Sequence, residues 1–253
     1  MQIQCLGGHN GGRSALVSAF VSRWASPMSA PASLHFAVLA VDVVLVTYRD
    51  GDLFVLTIPV HLPPYFSHAH GLPGGLIRPE ETAERAVERI LLDKTGVALT
   101  KGVWIDQLAA FSEVDRDPRG RVVSLAYVAV LPPELYERTT LAHGATWMKV
   151  SSRQKLAYDH DLILTTAIKR IQGKLVYTPI ASWLLPKKFT LTDVQGCYER
   201  LLHRSFDRRN FRKRLQQLEI LEEVGEFARG QHRPAMLYRF AKKLPEIVSM
   251  IAE

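Results

Sequence analysis

The stretch from Gly71 to Val97, GLPGGLIRPEETAERAVERILLDKTGV, constrains the fold more than any other part of the chain. It opens with a glycine-rich loop. Pro79, followed by two glutamates, is typical of a helix N-terminus, where a fixed φ and negative charge are favourable. Gly96 is a typical C-cap. Apolar residues recur between them at helical spacing, at Ala83, Val87, Ile90 and Leu91. We therefore expect a loop, a helix that starts near Pro79, and a second loop.

This stretch resembles the box of the Nudix hydrolases, in which a glycine, a glutamate and an arginine precede a run of glutamates and a closing glycine. The positions in register are Gly75, Glu81, Arg89, Leu91, Gly96 and Val97. Three acidic positions of the box differ, because Ile90, Asp93 and Lys94 stand there. An ordinary amphipathic helix is the alternative interpretation, and the number of matches in register argues against it.

The three altered positions share one helical face, since they are related as i, i+3 and i+4. Stacked carboxylates on such a face hold hard divalent cations, which prefer oxygen ligands. Ile90 offers no ligand, and Lys94 places a positive charge where the cation would lie. The resemblance implies a Nudix-like α/β/α sandwich with a mixed sheet. The substitutions predict no catalytic residues, no metal site and no magnesium.

Composition places the chain among globular proteins: 253 residues, of which 47% are hydrophobic, suffice for one large or two modest domains. No apolar run reaches the ~20 residues of a membrane helix, so we expect a cytoplasmic protein. Cys5 and Cys197 form no metal-ligand or disulfide pattern. We predict a poorly ordered extension at 1–32, a Nudix-like domain at 33–175 and a second domain at 176–253. Whether translation starts at Met1 or Met28 is open.

In the first domain, Asp50 and Gly51 lie between two apolar runs and predict a hairpin. His61 to His70 is interpreted as a loop. The turn from Arg116 to Arg121 brings three arginines together, which fits either a solvated hairpin tip or an anion site, since guanidinium groups bind phosphate bidentately. This region resembles Nudix proteins that take ADP-ribose and regulators related to them. The predicted effector-binding residues are Gly74, Gly75, Arg78, Glu81, Asp93, Lys94, Arg116, Arg119 and Arg121.

The last 77 residues are the basic part, with 14 Lys and Arg against 9 Asp and Glu in a chain of net charge +7. Three helical segments and a hairpin predict a winged helix-turn-helix domain. Asp207 is the predicted N-cap of the third helix, from Arg208 to Ile220. The polar face of this helix and the wing carry hydrogen-bond donors and acceptors that can contact DNA bases and phosphates. The predicted DNA-binding residues are Arg208, Arg209, Asn210, Arg212, Lys213, Gln216, Gln217, Arg229, His232 and Arg233.

The segment from Phe189 to Leu221, FTLTDVQGCYERLLHRSFDRRNFRKRLQQLEIL, resembles the C-terminal domain of the Nudix-related transcriptional regulators called NrtR. This resemblance implies a repressor of NAD metabolism genes that binds a palindromic operator as a homodimer. It also implies that ADP-ribose, or a related nucleotide sugar, binds the Nudix-like domain and releases the DNA.

Two alternatives are open. One is an active ADP-ribose pyrophosphatase with an accessory domain, in which Glu80, Glu81 and Asp93 would gather a weakly held ion and sustain residual hydrolysis. The other is a nucleotide-binding module that contacts protein partners through its C-terminal domain.

Overall fold

The turn at Asp50 and Gly51 joins the first two strands, as predicted. In the computed structural model, which describes residues 36–228 and 234–247, strand β1 spans Val38–Arg49 and strand β2 spans Asp52–Leu62. The two strands pair antiparallel. Both turn residues have a positive φ, 51° at Asp50 and 75° at Gly51. Asp-Gly sequences adopt this backbone conformation at low cost in tight hairpins.

One mixed sheet forms around β1. Its order is β3-β2-β1-β6-β5, with β4 paired to β1 and β7 paired to β2. Strands β1 and β6 run parallel, and the other neighbours are antiparallel. The mixed sheet confirms the predicted fold class. The remaining strands are β3 (Phe66–Gly71), β4 (Gly74–Leu76), β5 (Trp104–Phe111), β6 (Val122–Val130) and β7 (Thr146–Lys149).

The prediction of a loop from His61 to His70 is wrong over most of that range. Strand β2 continues to Leu62, and β3 begins at Phe66. Strand β3 lies at the edge of the sheet, where β2 is its neighbouring strand. Most of its side chains are only partly buried or exposed. An edge strand of this kind lacks the apolar run by which buried strands are recognised in a sequence.

Helices cover both faces of the sheet. Helix α1 (Ala83–Thr95) packs on one face, and helix α3 (His160–Tyr177) on the other; the short helix α2 (Pro133–Tyr136) lies between them in sequence. Successive side chains of a strand point to opposite faces. In β1, Val43 therefore joins the core beneath α1, whereas Val44 joins the core beneath α3. This is the predicted α/β/α arrangement.

Helix α1 begins at Ala83, later than the predicted start near Pro79. Its N-cap is Thr82, whose hydroxyl accepts a hydrogen bond from the Arg85 N–H at 3.4 Å. The C-cap is Gly96, as predicted, with φ of 77° and its N–H bonded to the Leu92 carbonyl. The Pro-Glu-Glu segment instead forms the turn that leads into the helix, because a Thr hydroxyl satisfies the free N–H groups of the first helical turn.

The C-terminal part is a winged helix. It consists of helices α4 (Ala181–Leu184), α5 (Leu191–Leu202) and α6 (Arg208–Gln217), followed by strands β8 (Leu221–Ala228) and β9 (Ala235–Phe240). Thr190 and Asp193 form a reciprocal capping box at the start of α5. The Asp207 carboxylate accepts the Arg209 and Asn210 N–H groups at 3.1 and 2.9 Å, which confirms the predicted N-cap of α6.

The sheet and the winged helix share one core. From Ala37 onward the described residues form one compact unit, and buried side chains continue from α3 at Ile171 into α5 at Tyr198. The Gln172 amide also donates to the Leu201 carbonyl at 2.8 Å, and Arg200 Nε donates to the Gly51 carbonyl at 2.8 Å. The domain boundary near residue 175 stays a prediction, and helix α3 continues beyond it to Tyr177.

Several predictions concern residues outside the described ranges. These are the extension at 1–32, including the choice between Met1 and Met28, and the wing residues Arg229, His232 and Arg233. In the part of the chain that the structure describes, every helix is too short or too polar to cross a membrane.

Candidate functional site

A cavity of about 520 Å³ opens between the glycine loop that precedes α1, the arginine turn before β6 and the start of α3. This volume lies within the range of small-molecule binding sites. Six of the nine predicted effector-binding residues line it: Gly74, Gly75, Arg78, Lys94, Arg116 and Arg119. The loop, the helix and the turn that were separate in the sequence therefore meet at one site.

The other three predicted residues do not line this cavity. The Glu81 carboxylate accepts hydrogen bonds from Arg89 and from the Arg78 N–H, and the bond with Arg89 is the main reason why its pKa falls to about 2. Arg121 donates to the carbonyls of Ser112 and Glu113 at 2.7 and 3.0 Å. Asp93 is exposed on α1. Glu81 and Arg121 thus hold the loop and the turn in place.

Arg116 is the most buried arginine of the cavity wall, with 4% of its side chain exposed. Its Nη2 donates to Asp42 at 2.9 Å and to Asp159 at 2.7 Å, and its Nε donates to Asp159 at 2.9 Å. Two carboxylates therefore neutralise the guanidinium. Arg116 therefore joins β1 to the start of α3, rather than providing a free guanidinium for a ligand.

His160 joins the same network through both ring nitrogens. Its Nδ1 accepts a hydrogen bond from the Leu72 N–H at 2.8 Å, so this nitrogen carries no proton. The proton then resides on Nε2, which faces Asp42 Oδ1 at 3.4 Å. An imidazole with both nitrogens engaged has no free position for acid or base chemistry. His160 is accordingly a structural residue that ties α3 to the glycine loop.

Asp42 stays ionised although it is buried. Burial alone raises its pKa, but the facing His160 and Arg116 oppose this effect and lower the pKa to about 2. Asp42, Asp159 and His160 were not among the predicted site residues. A signal was available for Asp42, because a carboxylate inside an otherwise apolar strand must find a charged or hydrogen-bonding partner.

Gly74 approaches β1 so closely that a side chain at this position is excluded. A Cβ on Gly74 would lie 1.9 Å from Asp42 Oδ1 and 3.0 Å from the Val41 carbonyl. A Cβ on Gly75 would lie 3.1 Å from the end of the Ile90 side chain. Glycine, which has no side chain, allows the backbone to come this close to its neighbours.

The face of α1 on which the resemblance to Nudix enzymes places metal ligands carries Ile90, Asp93 and Lys94 here. Ile90 is buried and contributes no oxygen. Lys94 Nζ donates to the Gly74 carbonyl, and burial of the ammonium lowers its pKa, an effect that Asp42 partly offsets. Among the described residues, no group of three or more His, Cys, Asp or Glu could hold a metal ion.

The second candidate site is the exposed face of α6. Phe211 and Leu215 turn into the core, as the helical spacing predicts. The exposed positions include six predicted DNA-binding residues: Arg208, Arg209, Asn210, Lys213, Gln216 and Gln217. Arg212 differs, because it is partly buried and its Nε is enclosed without a hydrogen-bond partner among the described residues. At 100° per residue it lies on the flank of the helix rather than on its outer face.

Comparison with known families accounts for both parts of the chain. Residues 37–164 match the NUDIX domain model. Residues 181–240 match the model of the NrtR DNA-binding winged helix domain. The cavity falls within the first match, and α6 falls within the second.

Two relatives and one solved structure are similar to this chain over different lengths. The chain is 32% identical over 209 residues to the ADPR responsive transcriptional repressor NtrR of Acinetobacter baylyi, covering 80% of this chain and 82% of that protein. It is 35% identical over 133 residues to the ADP-ribose pyrophosphatase of Methanocaldococcus jannaschii, covering 52% and 72%. The crystal structure of Shewanella oneidensis NrtR complexed with a 27mer DNA superimposes with a TM-score of 0.67 at 31% identity, covering 80% and 93%. The chain therefore belongs to the NrtR family, with a Nudix domain followed by an NrtR winged helix domain.

Proposed function

We propose that this protein is a DNA-binding transcriptional repressor of NAD metabolism genes. ADP-ribose, or a related nucleotide sugar, binds its Nudix domain and releases operator DNA. The observation that carries the proposal is the combination of a cavity lined by Arg78, Lys94 and Arg119 with an exposed basic helix in the same compact unit. Similarity over both domains to a repressor that is named for its response to ADPR supports the choice of effector.

The diphosphate of the effector binds near Lys94, Arg78 and Arg119. These cations line the cavity, and the Arg119 side chain is 55% exposed, so it is accessible to a ligand. Lys94 supplies positive charge where a Nudix enzyme places its metal, and binding in this proposal needs no magnesium. The glycine loop contributes backbone groups, because neither glycine projects a side chain into the cavity.

Helix α3 links the two sites. At its start, Asp159 and His160 belong to the cavity wall network. At its other end, Gln172 binds the last turn of α5, and Leu175 lies in the shared core. A ligand shifts a conformational equilibrium only through its different affinity for the two states. Effector contacts that move the start of α3 would therefore change the position of the winged helix.

The winged helix places α6 in the major groove, where its exposed Arg, Lys, Asn and Gln side chains contact phosphates and base edges. A homodimer would present two such helices to the two halves of a palindromic operator. Loss of the required spacing between the helices releases the DNA. The wing residues Arg229, His232 and Arg233 remain part of this proposal.

An active ADP-ribose pyrophosphatase is the second candidate function, favoured by the similarity of the Nudix domain to an archaeal enzyme of that name. The geometry argues against it. Glu81 is committed to Arg89, and Ile90 and Lys94 replace two of the acidic positions on the box helix. We infer that the protein does not act as an enzyme, and that any remaining hydrolysis is weak.

The test begins with a duplex that the protein selects from a random DNA library. Fluorescence anisotropy of this duplex, labelled with fluorescein, is measured as protein is added with and without ADP-ribose. We expect ADP-ribose to weaken DNA binding at least tenfold, and AMP to have less effect. Unchanged affinity would remove the effector part of the proposal. Release of one AMP for each ADP-ribose in the presence of magnesium would favour the enzyme instead.

A further inference from the structure

A second cavity, of about 880 Å³, opens where the Nudix domain meets the winged helix. One wall consists of the loop before β5 and of α2 with its flanking residues. The other wall consists of α4, the segment that follows it and the end of β9. We call this space the junction cavity. Its volume lies within the range of small-molecule sites, and neither effector binding nor DNA contact, as proposed above, uses it.

Much of the lining of the junction cavity is apolar or aromatic. Leu135 of α2 lies on one wall, and Trp183, Leu185 and Phe240 lie on the other. Phe240 packs on Phe189, with the ring centroids 5.0 Å apart. Trp183 is only partly buried, so part of its indole is accessible to a ligand. Aromatic pairs add to binding beyond the area that they bury, and this lining therefore suits a planar aromatic group.

Three exposed cations line the same cavity. Arg138 belongs to the Nudix wall, whereas Lys187 and Lys242 belong to the winged helix wall. Within the described ranges, none of these three side chains forms an ion pair or a hydrogen bond. The Glu134 carboxylate also lines the cavity, and it accepts the backbone N–H of Lys187. The lining therefore carries an excess of positive charge that is available to an anion.

We propose that the junction cavity binds an aromatic organic anion, with its ring against Trp183 and its anionic group near Arg138 and Lys242. A neutral aromatic compound would match only the apolar part of the lining, and a small inorganic anion only the basic part. This inference goes beyond the proposed function, because the site is separate from the cavity that takes ADP-ribose and does not depend on the identity of the effector.

A ligand in the junction cavity contacts both domains at once. The hydrogen bond from the Lys187 N–H to Glu134 joins the two walls directly. A bound ligand adds contacts that exist only while the walls keep this separation. It therefore stabilises this arrangement of the two domains relative to others. Because α6 belongs to the winged helix, the affinity for DNA should respond to the ligand.

The probe is anilinonaphthalene sulfonate, an aromatic anion whose fluorescence reports binding. N-phenylnaphthylamine has the same rings without the sulfonate and is the neutral control ligand. The variants are Trp183→Leu, which keeps an apolar side chain, and the double variant Arg138→Gln, Lys242→Gln. Lys243→Gln, an exposed neighbour outside this lining, is the matched charge control. Lys94→Gln tests for binding in the other cavity, and melting temperatures check that each variant folds.

We expect the double variant to bind the sulfonate about 2- to 25-fold more weakly, as for the loss of two exposed charge contacts. Its affinity for N-phenylnaphthylamine should not change. Trp183→Leu should weaken the binding of both probes about 2- to 12-fold. Lys243→Gln and Lys94→Gln should match wild type. Saturating sulfonate should change the wild-type affinity for the selected duplex by about fivefold or more, the lower end of allosteric coupling.

Equal affinity of wild type for the two probes, or wild-type affinity for the sulfonate in the double variant, overturns the site. Weaker sulfonate binding in Lys94→Gln alone assigns the probe to the other cavity and also overturns it. If the double variant loses affinity for DNA and keeps its affinity for the sulfonate, these cations contact DNA instead. Unchanged DNA affinity at saturating sulfonate overturns the coupling. The probe titrations need no response to ADP-ribose, so failure of the proposed effector is a separate result.

Discussion

Arg116 Nη2 lies 2.9 Å from Asp42 Oδ2, and both side chains are nearly inaccessible to solvent, at 4% and 7% exposure. The pair joins the central strand of the sheet to the arginine turn, and Asp159 extends it to the start of α3. The cavity is therefore built against a buried ionic network. We infer that stability and ligand binding depend on different arginines of one turn.

Removing Arg116 should destabilise the fold strongly. Arg116→Ala leaves two carboxylates without their cation, and loss of one partner from a buried pair costs about 3–5 kcal/mol. Arg119→Ala is the matched control from the same turn, since its side chain is 55% exposed and such pairs contribute about 1 kcal/mol or less. Urea denaturation measures both variants. Equal losses would contradict the assignment of Arg116 to structure and Arg119 to the ligand.

Stability should fall in acid because Asp42 has a lower pKa in the folded state. That pKa is about 2, against an ordinary value of 3.8. The stabilisation is fully present above pH 4 and is lost as the pH falls towards 2, and it amounts to roughly 2 kcal/mol. Urea denaturation at several pH values compares wild type with Asp42→Asn. Glu81 titrates in the same range, so the difference between the two proteins isolates Asp42. A constant difference from pH 5 to 2 would contradict the prediction.

Alanine should be tolerated at Gly75 but not at Gly74. The new Cβ at position 74 would overlap the Asp42 carboxylate and approach a backbone carbonyl, whereas at position 75 it meets only the end of the Ile90 side chain. Gly74→Ala should lower the melting temperature by several degrees more than Gly75→Ala, as roughly 1–3 kcal/mol of overpacking strain implies. Differential scanning calorimetry checks the order, and the reverse order would contradict the close approach of Gly74 to β1.

Binding of ADP-ribose should be independent of magnesium and dependent on Lys94. Isothermal titration in EDTA and in magnesium chloride should give the same affinity. Lys94→Gln should bind roughly 10- to 150-fold more weakly, in line with the loss of a hydrogen bond to a charged group. Lys101→Gln, an exposed lysine outside the cavity lining, is the control. Loss of ADP-ribose binding in EDTA would instead indicate that the Nudix box holds a metal ion.

The outer face of α6 should make salt-dependent contacts with DNA. Arg209→Gln and Lys213→Gln should each weaken binding and reduce the slope of log affinity against log salt by about 0.9 for each lost phosphate contact. Lys169→Gln, exposed on α3, should change neither quantity. If the α6 variants behave like this control, the C-terminal domain contacts a protein partner instead.

Much of the local structure could be predicted because it depends on neighbouring residues. The Asp-Gly hairpin, the Gly96 C-cap and the Asp207 N-cap are each specified within about four positions of sequence, and all three form. Helix α1 starts later than expected because the N-cap is Thr82, three residues after Pro79. Strand β3 was missed because its ladder with β2 is a tertiary contact at an exposed edge.

The candidate site was predictable to a smaller degree. The positions of Lys94 and the glycine loop could be predicted from the box pattern, because its spacing along the sequence is fixed. The roles of Arg116 and Arg119 could not be separated, since both are arginines of one short turn. Burial distinguishes them: one faces two carboxylates from distant segments, and the other faces solvent and the Tyr158 ring.

The sequence by itself determined the order of domains, the altered acidic face of the box helix and the basic face of α6. Periodicity, capping and charge are properties of short segments, so these features need no knowledge of the fold. Only the tertiary structure decided that Asp42, Arg116, Asp159 and His160 form one network and that Tyr158 lies on the cavity wall. These residues come from segments up to 118 positions apart in the chain, and they meet because the sheet and α3 bury them together. The Gly71 to Val97 stretch thus forms one wall of the cavity. The opposite wall consists of residues from distant segments that meet only in the folded protein.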